Sequence, residues 1–265
     1  MLHLLKIEWL KVKNYRTFWI LSGLFLVSIF GINYIVYYVQ STEMSLKQAN
    51  GMARALIGNP PFQFPEVWQT VTYITGFLLF IPGLLIIISV TNEYSFKTHR
   101  QNIIDGLTRT EFILVKMVLV VIIALASTLV VFITALLFGF TGEESISFTN
   151  IDYVGDFFIQ AISYGFVALL FSVLFKRSGI AIGVFFLFVT VIERMLSAVT
   201  NHYFKPVGDY FPIRTSANLI PFPFFRNVVN QFITSPDTLY LLIGSFAYIA
   251  LYIFVIKHKF ETDDL

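Results

Sequence analysis

Six apolar runs dominate this sequence of 265 residues and decide what it can fold into. A helix needs about 20 apolar residues to cross roughly 30 Å of hydrocarbon. Only 13% of the residues are charged, which is well below the share of about 25% in a soluble domain. The sequence predicts one all-α integral membrane domain over residues 1–265, with spans at about 18–39, 69–90, 112–140, 154–175, 179–200 and 238–256.

Lysine and arginine are unevenly distributed over the flanks of these runs. Because the cytoplasmic flanks of membrane proteins carry most of the Lys and Arg, the richer flanks should be cytoplasmic, together with both termini. Arg194 falls well inside a run, whereas Lys116 lies near the start of the third run and is counted with its flank. The richer flanks hold Lys6, Lys11, Lys13, Arg16, Lys97, Arg100, Arg109, Lys116, Lys176, Arg177, Lys257 and Lys259, and the poorer flanks hold Lys47, Arg54, Lys205, Arg214 and Arg226.

Several kinds of chemistry are excluded by what the sequence lacks. It contains no cysteine and no Gly-Lys dipeptide, so it has no thiolate site and no phosphate-binding loop of the G-x-x-x-x-G-K-[ST] type. Its four histidines are scattered over termini and loops, without the spacing of metal ligands. We therefore expect no catalytic residue, metal site or cofactor, and the net charge of +2 gives no reason to expect nucleic-acid binding.

The segment before the first run, residues 1–15, is predicted to be an interfacial helix. Its apolar residues recur on one helical face, and lysines flank that face, from where they can reach lipid head groups. An ordinary positively charged anchor is the other interpretation. The predicted face comprises Leu2, Leu5, Trp9 and Val12.

Residues 91–111, between the second and third runs, are predicted to contain a short amphipathic helix. Gly106 is a plausible helix stop, and Thr108 with Glu111 forms a capping box that starts the third span. Such a helix either docks in a groove of a soluble partner or lies flat on the lipid surface. The residues predicted to share one face of this helix are Phe96, Arg100, Ile103, Ile104 and Leu107.

The same segment resembles a known family. The residues Glu93, Thr98, Arg100, Gly106, Arg109, Glu111 and Lys116 form the pattern E-x4-T-x-R-x5-G-x2-R-x-E-x4-K. This pattern is similar to the loop after the second span in ABC transporter permeases of the type-2 exporter class. The N-terminal helix, the six spans and a long outer segment before the last span also match that class. The sequence departs from the usual pattern at Lys97 and at Asp105 and Gly106.

The resemblance implies a permease subunit in the bacterial cytoplasmic membrane, paired with a second copy or a paralogue. A separate cytoplasmic ATPase would bind its coupling helix, which would account for the missing phosphate loop. The implied substrate is amphipathic: a lipid-like molecule, a drug or an antimicrobial peptide. The residues implied in the ATPase contact are Glu93, Phe96, Arg100, Ile103 and Ile104. A non-transporting membrane scaffold or assembly factor is the alternative function, and a lipid-modifying enzyme is disfavoured because no reactive cluster is present.

Four further features leave two interpretations each. Glu193 and Arg194, inside the fifth run, either line a pathway or dimer seam or form a local pair that reaches the outer interface. The motifs Gly179-x3-Gly183 and Ala161-x3-Gly165 allow close helix packing, within the chain or across a dimer. Pro82 should kink the second run, as a static bend or a gating hinge. The outer segment 201–237 is either re-entrant or lies on the head groups.

Overall fold

The computed structural model describes residues 2–44, 60–141, 145–224 and 236–262, and helices are the only regular secondary structure in those ranges. Lys47, Arg54 and Arg226 of the predicted outer flanks lie outside them. A π-helical turn covers Phe188–Ile192 and a 3₁₀ turn covers Val207–Tyr210. The α-helices are α1 Leu2–Lys13, α2 Arg16–Met44, α3 Val67–Gly76, α4 Phe80–Ser95, α5 Thr98–Ile104, α6 Arg109–Gly139, α7 Asp152–Phe175, α8 Ser178–Leu187, α9 Glu193–Tyr203, α10 Pro212–Ala217 and α11 Thr238–Thr262.

Within these ranges, five helical segments are long and apolar enough to cross a membrane, which confirms an all-α, multi-pass membrane fold. The predicted second span is instead a pair of helices, α3 and α4, bent by 46°, and it makes a sixth span if the pair is counted as one. The five segments are Arg16–Gln40, Arg109–Gly139, Asp152–Phe175, Ser178–Tyr203 and Thr238–Thr262.

The break between α3 and α4 has a local cause in Pro82. In an unbroken helix the Leu78 carbonyl would accept the N–H of residue 82, and proline has none. The Leu78 carbonyl accepts instead from the Ile81 N–H, at 2.9 Å, which is a tighter turn than an α-helix makes. The kink predicted at this proline is therefore present, a few residues before the proline itself.

A second irregularity, the π turn, keeps one face of the fifth span directed inward. The buried residues of this span recur at every fourth position, whereas an α-helix repeats every 3.6 residues, so such a face would drift by about 40° per step. A π turn contains more residues per turn and cancels part of this drift. The buried positions are Ala181, Phe185, Val189, Glu193 and Ser197.

The helix α7 is the centre of the bundle. Of its most apolar stretch 67% is buried, against 17% to 33% in the other four segments, so those four present most of their surface outward. A Cβ atom at position 165 would lie 2.6 Å from the Val120 side chain. Because glycine has no Cβ atom, α6 and α7 can approach each other this closely. The motif Ala161-x3-Gly165 therefore serves packing within the chain.

Contacts between distant segments bring the Lys- and Arg-rich flanks to one end of the bundle. The Arg109 guanidinium donates to the Glu261 carbonyl at 2.8 Å, which joins the start of α6 to the end of α11. The Lys176 ammonium lies 5.8 Å from the centre of the Tyr94 ring, beside the end of α4. We call this end, formed by α1, α5, residues 176–177 and the last turn of α11, the basic end.

Candidate functional site

The chain reverses sharply between α4 and α5. The helix α4 ends at Ser95, and Lys97 adopts the left-handed conformation, with φ of 56°. The Nδ1 atom of His99 lies 3.0 Å from the Glu93 carbonyl oxygen and fixes the reversal. Because a left-handed residue interrupts the helical register, the predicted continuous face from Phe96 to Leu107 is wrong. Phe96 lies in the turn, ahead of α5.

The exposed side of this turn and helix is nevertheless apolar. The Phe96 side chain is 74% exposed and the Ile104 side chain is 77% exposed. Arg100 is also exposed and Ile103 is half-buried, whereas His99 faces inward. Phe96, Arg100, Ile103 and Ile104 therefore lie on the outer surface of the basic end, and we call them the α5 patch.

Backbone hydrogen bonds fix the far end of α5. The N–H of Gly106 donates to the Ile103 carbonyl and the N–H of Leu107 donates to the Asn102 carbonyl, both at 3.1 Å. These two bonds are those of a Schellman motif, which requires a left-handed residue at the position of Gly106. Gly106 has φ of 105°, as only glycine adopts readily. The predicted stop is confirmed.

The start of α6 is fixed by the predicted capping box, which is also confirmed. The Glu111 N–H donates to the Thr108 hydroxyl at 3.2 Å, and the Thr108 N–H donates to the Glu111 carboxylate at 3.0 Å. Both reciprocal bonds satisfy amide groups that a helix start leaves unpaired. The α5 patch is thus held between two well-defined helix termini.

Beneath the α5 patch lies a group of four charged side chains that we call the charge cluster. The Lys116 ammonium, on α6, is fully buried and contacts the carboxylates of Glu8 and Glu93, each at 2.5 Å. The Lys11 ammonium contacts the same two carboxylates at 2.9 and 3.2 Å. Glu8 and Lys11 belong to α1 and Glu93 belongs to α4, so the cluster joins three helices.

The charge cluster is electrically balanced, with two lysines and two glutamates. Burial raises the pKa of Glu8, but attraction to Lys116 and hydrogen bonds from Lys116 and Lys11 outweigh burial and hold this pKa below its ordinary value. Burial lowers the pKa of Lys11, but Glu93 and Glu8 outweigh it and raise this pKa. Each of the four side chains lies within 3.2 Å of two side chains of opposite charge, which compensates for their removal from water.

The predicted contact with an ATPase requires Glu93 to face the outer surface, but its side chain faces inward. Only 7% of its surface is exposed, and its carboxylate is directed at the charge cluster. Its carbonyl oxygen meanwhile holds His99 of α5. Glu93 therefore positions α5 relative to α1 and α6, and the exposed contacts fall to the other four predicted residues.

The sequence reasoning missed the role of α1 in this cluster. The buried side of α1 carries Glu8 and Val12, whereas Trp9 is 52% exposed, so the predicted face was only partly right. Glu8 is the single acidic residue among the apolar and basic residues of α1. That isolation was a usable signal, but its partner Lys116 lies 108 positions away.

Glu193 and Arg194 have different neighbours in the structure. One oxygen of the buried Glu193 carboxylate accepts the backbone N–H groups of Ile213 and Arg214, at 2.6 and 2.8 Å. The Arg194 guanidinium instead lies 5.6 Å from the centre of the Phe77 ring. Glu193 thus fastens the outer segment at α10, where Ile213 is buried. Residues 225–235 of the predicted outer segment lie outside the described ranges.

Gly179 and Gly183 lie on an exposed face of α8. A Cβ atom built on either glycine would have no described atom within 4 Å, in contrast to Gly165. The neighbouring Ile180 side chain is 48% exposed. Packing within the described part of the chain therefore does not account for the motif Gly179-x3-Gly183.

Comparison with known proteins adds no assignment. No protein-family model matches this sequence, and no curated protein matches it either. The chemistry of the site is limited as well, because in the described ranges no three His, Asp or Glu side chains are grouped as a metal ion would need. The most distinctive surface in the described ranges is therefore the α5 patch, which combines three apolar side chains with one arginine at the basic end.

Proposed function

We propose that this chain is the membrane-spanning permease subunit of an ATP-driven exporter of the ABC class. A separate cytoplasmic ATPase subunit binds the α5 patch, and the basic end, with both termini, faces the bacterial cytoplasm. The observation that carries this proposal is the combination of an exposed apolar patch with a rigid connection from it to the spans. The resemblance of residues 93–116 to the coupling loop of such permeases supports the same assignment.

The charge cluster gives a physical route from the patch to the membrane. Movement of α5 is transmitted to α4 through His99 and the Glu93 carbonyl, and to α1 and α6 through the Glu93 carboxylate and Lys116. The chain between α5 and α6 is also short, residues 105–108, and the capping box fixes the start of α6. An ATPase that pulls on the patch would therefore move three helices together.

Exposed apolar side chains suit a protein partner better than water. Phe96 and Ile104 are both about three-quarters exposed, and burying a side chain of this size in an interface stabilises a complex by roughly 1.5–3 kcal/mol. Arg100 lies beside them and can pair with an acidic group of the partner. The transported molecule would be amphipathic, such as a lipid-like molecule, a drug or an antimicrobial peptide.

The test is purification of the tagged chain from native membranes, followed by measurement of ATP hydrolysis in the purified complex. We expect the unchanged chain to retain an ATPase, and Phe96→Asp or Ile104→Asp to retain at least about tenfold less. The matched control is Phe204→Asp, which alters a side chain that is 69% exposed at the opposite end.

Two results would overturn the proposal. One is the absence of any ATPase from complexes of the unchanged chain, and a stable partner without nucleotide binding would then favour a non-transporting scaffold. The other is equal retention of the ATPase by Ile104→Asp and by the unchanged chain.

The partner in the membrane would be a second copy or a paralogue, packed against Gly179 and Gly183. Because the sequence contains no cysteine, single cysteines report contacts directly. We expect Gly183→Cys to form a disulfide-linked dimer under mild oxidation and Gly155→Cys, an open position on α7, to remain monomeric. Equal cross-linking of the two variants would remove the support for this seam.

A further inference from the structure

A cavity of about 230 Å³ opens at the basic end, between the start of α2 and the second half of α4. The last turn of α1 and the first residue of α5 complete its wall. It lies beside the charge cluster, since Lys11 and Glu93 contribute to the lining. Of the α5 patch, Phe96 alone borders this space, and no described residue of the outer segment lines it.

The polar residues of the lining lie toward the basic end, among apolar ones, and its deepest part is apolar. On α4, Asn92 and Ser89 lie nearer the basic end than Leu85, which is about 10 Å from Asn92 along the helix axis. On α2, which runs in the opposite direction, Thr17 lies near the basic end and Leu21 lies deeper. The cavity therefore offers hydrogen-bonding groups at its mouth and hydrocarbon below, as an amphiphile requires.

Two exposed cations adjoin lining residues of the cavity in the sequence. Arg16 is exposed and lies between Tyr15 and Thr17, which both line the cavity. Lys97 is exposed and follows Phe96, another lining residue. The two charged lining residues, Lys11 and Glu93, form an ion pair with each other, so the excess of positive charge comes from Arg16 and Lys97. A phosphate-bearing head group matches this arrangement, because Arg and Lys near a membrane surface attract anionic lipids.

Access to the cavity is from the side of the bundle. The helix α2 is the least enclosed of the spanning segments, with 17% of its apolar stretch buried. Its residues Ile20 and Leu24, next to the lining residue Leu21, are 68% and 51% exposed. In a bilayer these side chains face lipid, so an acyl chain reaches the cavity without crossing water.

We propose that this cavity binds an anionic phospholipid of the leaflet at the basic end. The phosphate lies between Arg16 and Lys97, the glycerol region contacts Asn92 and Ser89, and part of one acyl chain enters beside Leu85. The volume is below the range of about 300–1,000 Å³ typical of sites that enclose a whole ligand, so most of the lipid remains in the bilayer. This site requires only a membrane-embedded chain and holds whether or not an ATPase binds.

The experiment measures lipid retention by the full chain in detergent, using native mass spectrometry with added phosphatidylglycerol or phosphatidylcholine. We expect the unchanged chain to retain phosphatidylglycerol preferentially. The double variant Arg16→Gln with Lys97→Asn should lose roughly 25-fold in retention, since each cation contributes roughly fivefold. Asparagine is chosen at position 97 because it tolerates the left-handed conformation.

The matched control is Lys6→Gln with Arg177→Gln, which removes two exposed cations from the same end without altering the cavity. It should retain phosphatidylglycerol like the unchanged chain. A second variant, Ser89→Phe, fills the cavity and should also lose retention, with gel filtration showing that it is folded.

Three outcomes would overturn the proposal. The first is equal retention of the two phospholipids by the unchanged chain. The second is equal loss in the cavity and control double variants, which would indicate general charge attraction. The third is displacement of phosphatidylglycerol by glycerol phosphate alone, which would indicate a site for a free phosphate compound.

Discussion

Lys116 shows how a single buried charge can organise one end of this protein. Its ammonium group is surrounded by the carboxylates of Glu8 and Glu93, which belong to different helices. A buried ion pair adds little net stability compared with an apolar replacement of the whole group. Breaking it from one side is different, because it leaves charges that are buried and unpaired.

We therefore predict that Lys116→Met destabilises the protein by about 3–5 kcal/mol, since two buried carboxylates lose their central partner. Thermal unfolding in detergent, followed by circular dichroism, measures the change. The control is Lys6→Met, which removes an exposed lysine of α1. If both variants unfold at the same temperature, Lys116 does not organise the charge cluster.

The pKa of Glu8 predicts how the charge cluster responds to acid. Folding lowers this pKa, so the ionised carboxylate stabilises the folded state above the ordinary carboxyl range, about pH 4. That contribution is lost as the pH falls through the lowered pKa. The stability difference between the unchanged chain and Glu8→Gln should therefore be large near pH 7 and shrink below about pH 4.

Thermal unfolding of the unchanged chain and of Glu8→Gln, measured from about pH 3 to about pH 8, covers the range in which carboxyl groups titrate. The exposed Asp105, changed to Asn, serves as the control, because its side chain lies outside the charge cluster. A difference between the unchanged chain and Glu8→Gln that stays constant with pH would contradict the prediction.

Local residue patterns were predictable here, and long-range pairs were not. Thr108 and Glu111 are three positions apart, so their capping box could be inferred from the sequence, as could the stop at Gly106. Glu8 and Lys116 meet only because α1 folds back onto α6, and no local rule places residues 108 positions apart. The exposure of Phe96 likewise depends on the backbone of Lys97, a residue type that rarely adopts positive φ.

Among the helices, α9 and α10 depend on one another through Glu193. Its carboxylate accepts the first backbone N–H groups of α10, which would otherwise be buried and unpaired. We predict that Glu193→Leu loosens the outer segment and raises the amide hydrogen-exchange rate at Ile213 and Arg214 by roughly tenfold to a hundredfold.

Mass-spectrometric hydrogen exchange of peptides covering residues 211–218 measures this effect. Glu193→Gln is the matched variant, since both hydrogen bonds go to one carboxylate oxygen and an amide oxygen, with its two lone pairs, can still accept them. It should show a smaller rise than Glu193→Leu. Unchanged exchange in Glu193→Leu would show that other contacts hold α10.

The spanning helices could be predicted from the lengths of the apolar runs, but the irregularities within them could be predicted only in part. Pro82 indicated a kink in the second span, and the break before α4 bears this out. The π turn Phe188–Ile192 had no comparable signal, because no proline or glycine marks it. It arises from packing, which keeps Val189 and Glu193 on the same inward side.

For the molecule as a whole, the decisive measurement is the side of the membrane on which the basic end lies. We predict that Ile104→Cys reacts with a membrane-impermeant maleimide only after the cells are permeabilised. Phe204→Cys, at the opposite end of the bundle, should react in intact cells. The absence of native cysteines makes both signals specific. Reaction of Ile104→Cys in intact cells would place the α5 patch outside and exclude a cytoplasmic ATPase partner there.

The charge cluster also determines where this molecule can change shape. It clamps the ends of α4 and α6 to α1, so those ends form a stiff plate at one side of the bilayer. The second spanning segment is interrupted beyond this plate, at residues 77–79, where α3 and α4 meet at 46°. Because nine of the ten residues of α3 are buried, a shift at this break has to carry the neighbouring helices with it, so the two halves of the span are mechanically coupled.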